Sequence, residues 1–233
     1  MERPLSSGSD VRLLLLGATG LVGSHVLRQA LASPHIGTVI ALTRKPLALS
    51  LTDRTRLINP LIDFDAPDAD DPAWRVDAVI CALGTTISKA GSREAFRRVD
   101  YDYPLTFARL ARTGGASAFA LTSAAGANTG SRFFYNRVKG ELEEALGREN
   151  FNSLTLVRPG VIAGDRAESR PGETALKLAL RLLSPVLPRS WQLSPAEEIA
   201  RHLLSAVKAH EPGIHIVSAG EINSETSFPC NEE

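Results

Sequence analysis

The seven residues Gly17-Ala18-Thr19-Gly20-Leu21-Val22-Gly23 constrain this chain more than any others. They follow the apolar run Arg12-Leu13-Leu14-Leu15-Leu16 and precede apolar residues at helical spacing, Val22, Val26, Leu27, Ala30 and Leu31. A buried strand, a glycine turn and a helix in that order form a cradle for a diphosphate. Gly17 permits the turn, Gly20 lets a ligand approach the backbone, and Gly23 lets helix and strand pack closely. The free amides at the helix start then face the anion. The spacing is GxxGxxG rather than GxGxxG. Glycines that serve only the turn are the competing structural explanation.

The rest of the chain repeats the pattern. Apolar strands are expected at 38–43, 56–62 (weakened by Pro60), 76–83, 117–122, 153–157 and 214–217. Helices are expected at 93–112, with a break or kink at Pro104, and at 133–146, 174–183 and 195–209. The acidic stretch 63–72 reads as a loop. Such alternation implies an α/β fold: a doubly wound, mostly parallel sheet of the Rossmann type in three layers. Residues 1–222 form one domain, with small substrate-pocket elements within 160–212, and residues from Asn223 onward read as a disordered tail.

Composition excludes several classes. Acidic and basic residues balance at 26 each, which gives no field for nucleic acid or an anionic membrane. No apolar run spans a bilayer, and Met1 to Asp10 shows no targeting signal. The two cysteines, Cys81 and Cys230, do not form a disulfide framework, so a cytoplasmic location is expected. His25, His202 and His210 lack metal-ligand spacing, and no metal is expected. Trp74 and Trp191 read as packing residues.

The end of the second strand bears on the ligand. An NAD site uses a carboxylate about 20 residues beyond the glycines. No Asp or Glu occurs from Val11 through Thr52, and the strand ends Thr43-Arg44-Lys45. A guanidinium pairs with a 2′-phosphate bidentately, so NADP(H) is expected over NAD(H), with Arg44 the main contact and Lys45 secondary. A solvated basic turn is the plainer alternative.

Tyr135 and Lys139 stand four apart in an expected helix and share a face, while Ser123 ends the fifth strand beside the expected crevice. This set suits hydride transfer to a carbonyl. Tyr135 donates the proton, Ser123 hydrogen-bonds the same oxygen, and the Lys139 ammonium favours the phenolate and reaches the ribose. A surface tyrosine beside a solvated lysine is the bland alternative.

Together with Arg158-Pro159-Gly160-Val161, these motifs resemble the short-chain dehydrogenase/reductase superfamily. Leu42 to Lys45, Cys81 to Thr86, Lys89 to Gly91, Val99-Asp100 and Glu168 to Glu173 narrow the resemblance to its atypical, Tat-interacting oxidoreductase-like group, over roughly residues 12–210. The resemblance implies that Asp63 and Phe64 flank the adenine. It also implies that Leu83, Gly84 and Thr85 run beside the ribose and pyrophosphate, and that Pro159, Gly160, Val161 and Ile162 line the nicotinamide. Many superfamily members carry an asparagine that completes a proton relay; here Asp100 aligns with it.

Arg166 and Arg170 follow the sixth strand and are candidates for orienting a substrate, with a structural ion pair as the alternative. The expected activity is hydride transfer between NADPH and a small carbonyl or alcohol. A dinucleotide-sensing interaction module is the second reading. A nucleotide-sugar epimerase is the third, disfavoured because about 70 residues follow the sixth strand. A homodimer contact or a regulatory protein partner stays open.

Overall fold

The computed structural model of the protein describes residues 11–47, 55–163 and 193–224. The elements run β1 (Val11–Leu16), α1 (Leu21–Ala32), β2 (Ile36–Leu42), β3 (Leu57–Ile58) and β4 (Ala78–Cys81). Short helices α2 (Ile87–Ala90) and α3 (Arg93–Arg97), a π-turn (Arg98–Asp102) and α4 (Tyr103–Thr113) follow. Then come β5 (Ala118–Thr122), α5 (Phe134–Gly147), β6 (Ser153–Arg158), β7 (Val161–Ala163), β8 (Leu193–Pro195), α6 (Ala196–Ala209), β9 (Gly213–Ser218) and α7 (Ala219–Ser224).

Seven strands form one sheet in the order β3-β2-β1-β4-β5-β6-β9, every pair parallel. The order reverses direction between β1 and β4, the point at which a doubly wound sheet opens a ligand crevice at its carboxyl edge. Leu13 to Leu16 explain the layers. Successive side chains of a strand point to opposite faces, and all four leucines are fully buried. Leu13 and Leu15 join Val26, Ile199 and Leu203 under α1 and α6. Leu14 and Leu16 join Phe107 and Leu142 under α4 and α5. A sheet covered on both faces needs such unbroken apolar runs.

Four expectations change. The third strand is two residues long, with one further bridge from Thr43 to Leu61. Pro60 has no N–H to give the ladder. The Asn59 amide instead donates to the Ala41 carbonyl at 2.7 Å and the Thr43 hydroxyl at 2.8 Å. The fourth strand ends at Cys81, not Leu83. The expected helix 93–112 is divided by the π-turn, because Pro104 offers no N–H to the Asp100 carbonyl four residues back and its ring crowds that oxygen. Asn223 and Ser224, expected in a disordered tail, close α7. The expected helix 174–183, Trp191 and Cys230 lie outside the described residues.

Candidate active site

The glycine turn sits at the carboxyl end of β1. Gly17 has φ +87°, and a Cβ there would lie 2.6 Å from the Ala82 carbonyl oxygen. The Gly20 amide closes the turn on the Gly17 carbonyl at 2.9 Å. A Cβ on Gly23 would lie 2.0 Å from the same oxygen. Gly20 caps α1 without a side-chain bond, which leaves the first-turn amides of Leu21 and Val22 open to an anion. Ala18 and Val22 are buried against the sheet, and Thr19 and Gly20 face solvent. The cradle fits a dinucleotide diphosphate.

Arg44 and Lys45 are exposed just past β2. Leu16 pairs with Leu42, so the basic corner lies alongside the glycine turn. The Thr43 hydroxyl donates to the Lys45 carbonyl at 2.7 Å and fixes that corner. The Arg44 guanidinium lies 5.8 Å from the centre of the Phe64 ring. Phe64 itself is buried, edge-on to Tyr103 and Phe107, while Asp63 is exposed and accepts from the Asp65 amide. Of the pair expected at the adenine, only Asp63 is freely presented.

Tyr135 and Lys139 lie on one face of α5. Tyr135 is 38% exposed, with its ring 5.8 Å from that of Phe96. Lys139 is buried, and its ammonium lies 2.9 Å from Asp100 Oδ1, in an ion pair set off the usual hydrogen-bond direction. Asp100 is also buried, and its other oxygen accepts from the Thr85 amide at 2.8 Å. Burial alone would push the Lys139 ammonium toward its neutral form. The Asp100 carboxylate, with Tyr135 adding to it, outweighs that and holds Lys139 above its usual range. Beneath them, burial pushes the Cys81 thiol up to about 11. Leu83 and Gly84 lead into Thr85, so the stretch expected beside the ribose is tied to α5 through Asp100.

Ser123 is placed differently from the expectation of a hydroxyl open to substrate. It is 2% exposed and donates to Glu143 Oε1 at 2.5 Å. Arg158 grips the same carboxylate through both oxygens, at 3.0 and 2.5 Å. Sequence reading missed this network. Its signal was Glu143, an ionisable residue one turn beyond Lys139 on a helix face that also carries buried Leu142 and Leu146. Pro159 and Gly160 also have protein partners: the Pro159 carbonyl accepts from Ala125 and the Gly160 amide donates to Ser194 Oγ. Val161 is exposed and Ile162 half-buried at the start of the β7–β8 pair. Arg166 and Arg170 lie outside the described residues.

Comparison with known proteins agrees with this geometry. Residues 17–177 match the family described as NAD(P)H-binding. Protein HTATIP2 of Rattus norvegicus is 38% identical over 180 residues, covering 77% of this chain and 72% of its own. The protein named "fmp52, mitochondrial" of Aspergillus fumigatus is 36% identical over 203 residues, covering 82% and 85%. Among solved structures, MoeE5 in complex with UDP-glucose and NAD aligns with a TM-score of 0.66 at 16% identity, covering 94% of this chain and 81% of that one. The PhqB reductase domain of Penicillium fellutanum aligns at 0.65 and 21%, covering 93% and 68%. These two share the fold. The expectation of a cytoplasmic location is corrected, since relatives from Aspergillus, Emericella and Candida are all named mitochondrial. No helix among the described residues is long and apolar enough to cross a membrane. The chain belongs to the NAD(P)H-binding family, as an atypical short-chain dehydrogenase/reductase related to HTATIP2 and the fmp52 proteins.

Proposed function

We propose that this protein binds NADP(H) in preference to NAD(H) and transfers hydride between it and a small carbonyl or alcohol. The dinucleotide supplies or accepts the hydride; the chain supplies everything else. The α1 amides hold the diphosphate, and Arg44, with Lys45 beside it, holds the 2′-phosphate. Tyr135 gives a proton to the carbonyl oxygen during reduction and takes one from the alcohol during oxidation. Lys139 steadies the phenol and the nicotinamide ribose. Ser123 reaches a substrate oxygen only by exchanging its bond to Glu143. The observation that carries this reading is the exposed Tyr135 on the same helix face as buried Lys139, at the sheet edge that also bears the open glycine turn.

The test is a screen of small aldehydes and ketones that follows NADPH oxidation. Tyr135→Phe should lower turnover about 100- to 10,000-fold while leaving NADPH affinity within about threefold. Removing one charge-assisted contact in Arg44→Ala should weaken NADPH binding by about tenfold or more and leave NADH binding unchanged. The second reading, a dinucleotide-responsive binding module without turnover, is favoured by one observation: Ser123 and Lys139 are both already paired inside the protein. Tight NADPH binding with no turnover across the screen would select it. For the cellular setting we infer mitochondria, as in the names of the fungal relatives, to be checked by fractionation.

A further inference from the structure

We propose that Asp100 is a positioning residue that sets the pH range over which Tyr135 serves the reaction. By holding a counter-charge against Lys139 it keeps Tyr135 a proton donor. This rests on the role proposed for Tyr135, but its test needs no substrate.

Geometry carries the argument. Lys139 and Asp100 are 3% and 1% exposed and 2.9 Å apart, so the site contains a neutral pair, not a bare ammonium. A bare ammonium near a phenol stabilises the phenolate. A pair acts only as a dipole, whose field falls off faster with distance. Asp100 is built in firmly. The Thr85 amide binds its second oxygen at 2.8 Å. The π-turn over Arg98–Asp102 presents it, and single π-turns within helices recur at functional sites.

The other groups near Tyr135 do not replace its effect. Cys81 approaches Lys139 and Asp100 from β4 as a thiol. Phe96 approaches from α3 as an apolar ring. Arg97 on α3 is taken up by Glu141, and Arg93 lies over Phe134, 5.2 Å from its centre. Arg137, two residues along α5 from Tyr135, lies 4.0 Å from the other oxygen of Glu141.

Reduction begins with a protonated Tyr135. The carbonyl carbon gains the hydride of the reduced dinucleotide, and the oxygen takes the phenol proton. An alcohol, the oxidised dinucleotide and a phenolate result, and solvent reprotonates the phenolate. Oxidation is the reverse of the same steps and begins from the phenolate.

The chain has three tyrosines, Tyr101, Tyr103 and Tyr135. Ultraviolet difference titration of the full-length protein, each variant made with and without Tyr135→Phe, isolates the Tyr135 transition. Asp100→Asn keeps an acceptor for the Thr85 amide and removes the charge. It should move that transition down by about one pH unit or more. The double variant Asp100→Asn/Lys139→Gln, with neither charge, should stay within about half a unit of wild type. A transition unmoved in folded Asp100→Asn, or a double variant shifted as far as the single one, overturns the proposal.

Should Asp100→Asn fail to fold, Lys139→Gln is compared with the double variant. The transition must lie higher in Lys139→Gln, which retains the carboxylate; equal values overturn the proposal. Where the screen yields a substrate, Asp100→Asn should move the alkaline fall of kcat/KM for reduction down by about one pH unit. Absence of any substrate counts against the proposed function and leaves the titration standing.

Discussion

Gly23 shows how one missing methyl decides whether a site exists. Its Cβ would fall 2.0 Å from the Gly17 carbonyl oxygen, a backbone atom that cannot step aside. Gly23→Ala must therefore push α1 off the turn. It should cost about 2–4 kcal/mol in urea unfolding and abolish dinucleotide binding, measured by fluorescence titration. A variant that binds NADPH like wild type would show that close packing of α1 on the turn is dispensable. Cys81 supplies a pH-dependent counterpart. Burial raises its folded value from 9.0 to about 11. An acid raised by folding binds more protons in the native state, so stability is full below pH 9 and falls as pH rises toward 11. Lys139 is also raised and adds loss at the alkaline end. Between pH 8 and pH 10.5, Cys81→Ala should therefore lose less stability than wild type, though more than none. Equal losses would show that the thiol is not desolvated. Below pH 9 the thiol should also resist alkylation until the chain unfolds.

Helix α5 carries two ion pairs of opposite polarity one turn apart, Lys139 with Asp100, both buried, and buried Glu143 with half-buried Arg158. Each ties the helix to a different loop: the first to the segment after β4, the second to the ends of β5 and β6. Removing Glu143 strips half-buried Arg158 and Ser123 of their charge-assisted hydrogen bonds, so Glu143→Ala should destabilise the protein by about 1.5–3 kcal/mol. Glu143→Gln, which still accepts from Ser123, should cost less. Equilibrium urea denaturation separates the two, and identical losses would mean that Arg158 is solvated rather than held. The same helix marks how far the sequence could be read. Its spacing showed Tyr135 and Lys139 sharing a face, because helical periodicity is local. What each charge meets was not legible, because Asp100, Ser123 and Arg158 arrive from elements 15 or more positions away. The parallel sheet and its layers were legible for the same local reason, through runs such as Leu13 to Leu16 that can only be buried on both sides, whereas the strand order, a tertiary property, was not. The π-turn was half legible. Pro104 announced a break, but that the break would aim Asp100 at Lys139 depends on tertiary packing. The β7–β8 pair was hidden because its two strands, three residues each, join segments about 30 positions apart.

At the scale of the molecule, a ligand lying across the reversal point of the sheet touches both halves at once. The glycine turn follows β1, the basic corner follows β2, and Tyr135 and Lys139 belong to the half built on β4, β5 and β6. Such a ligand binds only the folded chain and must raise its stability by mass action, by about 2.7 kcal/mol at a hundredfold excess over Kd. For a domain of this size that is a rise in Tm of about 5–10 °C. The pattern across variants locates the contacts. Tyr135→Phe should keep the full rise, because the phenol acts on substrate. Arg44→Ala should cut the rise given by NADPH to that given by NADH at equal concentration, because the two ligands differ only in the phosphate that Arg44 is proposed to hold. Gly23→Ala, with the turn displaced, should show neither rise. Wild type that gains no more from NADPH than from NADH, at equal concentrations above both Kd values, would place the basic corner outside the binding site and return the cofactor preference to the glycine turn alone, which cannot tell the two apart.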